Sequence, residues 1–196
     1  MNAFLRAWLL GYSSPAKLVE ALRDKPAPQW GFYAQTLRAL MDGLLLYLPL
    51  SLMERQPSIP SYLTFLPPER YFTALVWLGP IFLLGQWLLL SALIHLALRL
   101  SGRVSSIDLI LNLTGMAALV VGFVLLIWDW IWVLAGWRNP YALGVSHLVF
   151  DVWAILITVL GFHRLMGVPV KVAIALNVLW LAAGVPLAML IMRAPF

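Results

Sequence analysis

Two pairs of ionisable residues, Arg38 with Asp42 and His147 with Asp151, are spaced four apart inside stretches that are otherwise apolar. On a helix, that spacing puts both members on one face, about 6 Å apart at Cβ, so each can pair within its own helix. A histidine beside a carboxylate can relay or gate protons, because imidazole changes charge in the physiological range. Further polar groups within apolar runs are Asp129 in Trp128-Asp129-Trp130-Ile131-Trp132, His95 four residues before Arg99, and the amides Asn112 and Asn177.

The elements that must position them are set by composition. The 196 residues are 63% hydrophobic and 11% charged, with a mean hydropathy of +0.92. A hydrocarbon core about 30 Å thick needs about 20 apolar residues per helical span. Continuous apolar runs bounded by charge or by Pro, Gly and Ser predict five spans at about 34–53, 71–98, 107–134, 146–164 and 169–192. Without period-two alternation a membrane barrel is excluded, and backbone groups in lipid must be satisfied within each helix. The fold class is therefore all-α: a polytopic membrane protein whose domain, 34–196, is a five-helix bundle, preceded by a segment 1–33. Pro80, with Gly79 and Gly85, is expected to kink the long second span.

A charge near the bilayer centre costs about 2.5–3.5 kcal/mol, so intramembrane charges face the bundle interior with a partner. Sequence depth sorts them into two groups. Arg38, Asp42, His95, Arg99, Asn112 and Asn177 fall in the cytoplasmic half, and Asp129, His147 and Asp151 in the outer half. Two readings stay open: hydrogen-bonding glue between helices, or a site for a solute or protons.

Much chemistry is excluded. The chain has no cysteine, which removes disulfides, thiolate metal sites and palmitoylation. It has no phosphate-cradling Gly-rich loop, nucleophile elbow or paired-histidine metal motif. No catalytic residue, cofactor or metal is expected. The net charge of +5 sits mainly on the predicted cytoplasmic side, and the basic residues neither cluster nor interleave with aromatics, so no nucleic-acid partner is expected.

Lys and Arg counting orients the bundle. Nine lie on one side (Arg6, Lys17, Arg23, Lys25, Arg38, Arg99, Arg103, Arg164, Lys171) and four on the other (Arg55, Arg70, Arg138, Arg193), which predicts a cytoplasmic amino terminus and an outer carboxy terminus. Ser13-Ser14-Pro15 starts a helix that gathers Leu18, Ala21 and Leu22 on one face. It is expected to lie in the interface as an anchor or as a docking surface, with the apolar Phe4, Leu5, Trp8 and Leu9 before it. Trp128, Trp130, Trp132 and Trp137 read as an aromatic belt, Gly115, Ala118 and Gly122 as a close-contact stripe, and the proline-rich loop from Glu54 to Glu69 as a stiff outer cap.

The arrangement resembles the prokaryotic branch of the Yip domain family, the Ypt/Rab GTPase-interacting membrane proteins. The likeness is carried by Ser13-Ser14-Pro15, by His95 with the polar turn Ser101–Ser106, and by Val152-Trp153-Ala154 running to Gly161-Phe162-His163-Arg164 and on through Gly167-Val168-Pro169 to Ala173. It implies a non-enzymatic membrane organiser, adaptor or complex subunit, with the lipid bilayer and other membrane proteins or a second copy as partners. The home implied is a prokaryotic cytoplasmic membrane. The chain lacks the Asp-Leu-Tyr-Gly-Pro motif, so no Rab-type GTPase partner is expected. The alternative is a small transporter or channel for an ion, proton or small solute.

Overall fold

The computed structural model describes residues 3–25 and 27–194; the outermost residues of the expected segments 1–33 and 34–196 lie outside them. Among the described residues the elements are helical: α1 (Ala3–Ser13), α2 (Pro15–Arg23), α3 (Gln29–Met41), a π-helical turn (Asp42–Tyr47), α4 (Leu48–Leu52), a short 3₁₀ turn (Pro68–Arg70), α5 (Tyr71–Leu100), α6 (Ile107–Ala135), α7 (Pro140–Met166) and α8 (Val170–Ile191).

Four helical stretches, Pro68–Leu100, Ile107–Ala135, Pro140–Met166 and Val170–Ile191, are long and apolar enough to cross a membrane. They match the second to fifth predicted spans. The predicted span 34–53 falls on α3, the π-helical turn and α4, which run on as one helical stretch in three shorter pieces. The fourth span begins at Pro140 rather than near 146, because Asn139 caps it: its Oδ1 accepts from Ala142 N at 3.0 Å, with proline at the first helical position.

α6 is the central post. Its most apolar window is 78% buried, and it is flanked by α1, α2, α3, α5 and α7, whereas α8 packs on α5 and α7. Small residues permit the closest approach, between α3 and α6. A Cβ on Gly115 would come within 2.6 Å of Gly31 O, so the two backbones touch. Asn112 clamps the same crossing by accepting from Gly31 N at 2.8 Å and donating to Ala27 O at 2.9 Å.

Three prolines, Pro49, Pro80 and Pro186, sit within helical stretches, and at the first two a neighbour lies against the carbonyl that loses its usual donor. Pro49 cannot donate to Leu45 O, and Trp130 Nε1 does so at 2.8 Å. Pro80 cannot donate to Val76 O, and the backbone of Gly43 in the π-helical turn sits against that oxygen, where a Cβ would come within 2.9 Å. Beside Pro80, Gly79 makes room for the Tyr47 ring, while Gly85 has nothing near it.

The amino-terminal segment packs closely on the bundle. Residues 3–13 form their own helix, and α1 and α2 make a hairpin packed on α6 and α7, with Ser13-Ser14-Pro15 at its tip. Gly11 meets Val120, Trp8 meets Phe123 edge-on at 5.6 Å, and Trp153 Nε1 donates to Gly11 O at 2.9 Å. At 1.5 Å per residue the tip lies about 20 Å from the amino-terminal end of α6. Leu18 and Leu22 are fully buried, so the apolar face of α2 is spent inside the molecule and is not open to a docking partner.

At the far end, the proline-rich loop is tied to the end of α8. Ser58 N donates to Ala194 O at 3.0 Å, Arg193 Nε donates to Pro60 O at 3.1 Å, and the Arg193 guanidinium stacks on Tyr62.

Candidate functional site

A chamber of about 260 Å³ opens between α6 and α8, walled by α5 and α7 and reached from the remaining side by α3. Its walls are mainly aliphatic and aromatic, including Leu83, Trp87, Leu90, Val121, Ile155, Trp180 and Leu181. Its polar groups are Gln35, Arg38, Gln86, Thr114, His147, Asp151, Thr158 and Asn177.

The packing of α3 against α6 delivers Arg38. Its guanidinium crosses α6 in the gap left by Gly122, where a Cβ would stand 2.8 Å from Cζ. Nη1 donates to Ala118 O at 3.3 Å, and Nη2 faces Asp42 Oδ2 at 3.6 Å. Arg38 and Asp42 thus pair within one helix, and Asp42 is 8% exposed. Gly122 serves this arginine rather than a helix–helix contact.

His147 takes a different partner from the one its spacing offers. Its Nε2 lies 2.8 Å from Asp129 Oδ1 across the α6–α7 contact. Asp151, one turn further along α7, lines the chamber with no hydrogen bond or ion pair to the described residues; Arg38 and His147 lie within electrostatic reach of it. Asp42 lies within electrostatic reach of both Asp129 and His147. Arg38 and Asp42, assigned by sequence to the cytoplasmic half, therefore meet the outer group at one level of the bundle, whereas the rest of their group does not.

The other expected polar residues lie elsewhere or are already bonded. His95 Nδ1 pairs with Ser105 Oγ at 2.8 Å, and Arg99 is exposed at the end of α5. Asn112 belongs to the α3–α6 clamp. Asn177 accepts from Thr158 Oγ1 at 2.7 Å and donates to Ala173 O at 2.9 Å, tying α7 to α8 at one end of the chamber.

Two glutamines were missed. Gln86 Nε2 donates to Gly184 O at 2.7 Å, and Gln35 Nε2 to Leu83 O at 3.2 Å. Gln35 is 3% exposed, and its Oε1 has no partner. The signal was available: both are amides inside apolar runs, the criterion that selected Asn112 and Asn177.

The tryptophans form no cage around the chamber. Trp128, Trp132 and Trp137 stack edge to face on one another at 5.0–6.4 Å, with Phe150 against Trp128, beyond the end that His147 marks.

Fold and site define a class, a helical protein with four helices of membrane-spanning length around a partly polar internal chamber. No family model matches the chain, and no characterised protein or solved structure matches it.

Proposed function

We propose that the protein is a small membrane carrier or channel that holds a polar solute in the chamber between α6 and α8. The observation behind this reading is the chamber itself: charged and amide side chains from α3, α5, α7 and α8 converge on one space inside an apolar bundle. Intramembrane ionisable groups are costly and usually mark a solute or proton path. The same proposal takes α3 through α4 as a fifth span, the amino terminus as cytoplasmic, and the membrane as a prokaryotic cytoplasmic one.

A second reading, a Yip-type organiser, draws on the sequence motifs and on the tight Gly167–Pro169 turn between α7 and α8 that they describe. One experiment separates the two. The tagged protein is isolated from its host in native nanodiscs, and everything accompanying it is identified by mass spectrometry. A carrier brings a small solute that is lost when Ala154→Phe or the more exposed Val185→Trp fills the chamber. A stoichiometric protein partner, with no solute that responds to these fillings, establishes the organiser.

A further inference from the structure

We infer that the chamber takes a small organic ammonium ion, its charge held by Asp151 and the Gln35 carbonyl. The inference rests on the reading of the chamber as a solute site and adds the solute's class.

Charge within the chamber decides the sign. Arg38 faces Asp42 at 3.6 Å and His147 Nε2 is hydrogen-bonded to Asp129 at 2.8 Å, which leaves Asp151 as the chamber carboxylate without a bonded partner. Arg38 has little to offer an anion in the chamber: its Nε, which has no hydrogen-bond partner, lies in the gap at Gly122, a residue that does not line the chamber, while Nη1 is on Ala118 O and Nη2 faces Asp42.

Hydrogen-bonding capacity points the same way. Gln35 donates its amide N–H to Leu83 O, which fixes its Oε1 as an acceptor without a donor, in a residue 3% exposed. A buried acceptor left unmade costs about 1–3 kcal/mol, so a ligand N–H is the complementary group. An ammonium brings both the positive charge and the donors, and a carboxylate or phosphate brings neither.

The remaining wall argues against a bare metal ion. Among the described residues no group of three His, Cys, Asp or Glu side chains is placed to hold a metal ion, and the hydroxyls of Thr114 and Thr158 are already hydrogen-bonded. A hard cation needs six or more oxygens. Leu83, Val121, Leu181 and the Trp180 ring instead suit a hydrocarbon body, with an aromatic face favourable to a cation.

The test uses the full chain in nanodiscs, with cyclohexylammonium, cyclohexylmethanol and cyclohexanecarboxylate titrated calorimetrically at neutral pH against empty nanodiscs. Cyclohexylammonium is expected to bind, and the two shape analogues are not. Asp151→Asn is expected to weaken binding at least tenfold with an unchanged thermal midpoint, Asp151→Glu to restore it, and Gln35→Leu to weaken it.

Binding of the alcohol or carboxylate that is lost in Val185→Trp overturns the ammonium class while keeping the chamber as a solute site. Asp151-dependent binding of sodium or potassium chloride without the amine also overturns it, in favour of an inorganic cation. No binding by any probe overturns it too, and if the native isolation then yields no solute sensitive to chamber filling, the carrier reading falls with it.

Discussion

Gly122 and Arg38 work as a unit, because the missing side chain on α6 is what lets a guanidinium lie inside an apolar bundle with its carboxylate one turn away. Burial makes the pair costly to break and cheap to replace as a whole. Arg38→Leu, which strands Asp42, is expected to destabilise the protein by about 3 kcal/mol. The double variant Arg38→Leu/Asp42→Leu is expected to recover most of that, as read by the unfolding midpoint in a fixed detergent. Equal loss in both variants would show that the pair does more than neutralise itself. Spacing alone identified Arg38 with Asp42, since a contact one turn away is local. The same rule pointed His147 at Asp151, yet the closer carboxylate is Asp129, eighteen residues back on another helix. Only the α6–α7 packing chooses between the two.

At the scale of elements, prolines and glycines account for the contacts that hydropathy could not show. The π-helical turn places Gly43 on the carbonyl that Pro80 frees, and Trp130 serves the one that Pro49 frees. Trp130→Phe keeps an aromatic side chain but removes the donor and is expected to cost about 1 kcal/mol in unfolding free energy. The α3–α6 crossing is less forgiving. Gly115→Leu would push the side chain into the Gly31 backbone and is expected to cost about 1–3 kcal/mol and to loosen the Asn112 clamp. Circular dichroism during thermal unfolding measures both. The hairpin of α1 and α2 illustrates the limit of helical patterning. The face of Leu18 and Leu22 was legible as apolar, but nothing local says whether lipid, a partner or the chain's own bundle covers it.

At the scale of the molecule, the absence of cysteine makes the proposed topology directly testable. Single cysteines replacing Ser101, between α5 and α6, and Arg138, between α6 and α7, are expected to react with a membrane-impermeant maleimide from opposite sides. Ser101→Cys should label only when the cytoplasmic face is accessible. Labelling of both from one side would remove α6 as a crossing, and a reversal of sides would overturn the orientation read from Lys and Arg.

The sequence by itself determined that the protein is helical, and it placed four of the apolar helices to within a few residues, because mean hydropathy and proline or glycine boundaries act over short distances. It also singled out Arg38, Asp42, His147 and Asp151, since ionisable groups stand out against an apolar background. Tertiary structure decided what those residues meet. Whether a polar group is spent on a neighbour, as for Asn112, His95 and Asn177, or left without a bonded partner, as for Gln35 Oε1 and Asp151, depends on helices far apart in the chain. Their approach is set by where side chains are missing, at Gly31 and Gly115, and the Arg38 side chain enters the gap at Gly122; no local pattern encodes which neighbour enters each gap.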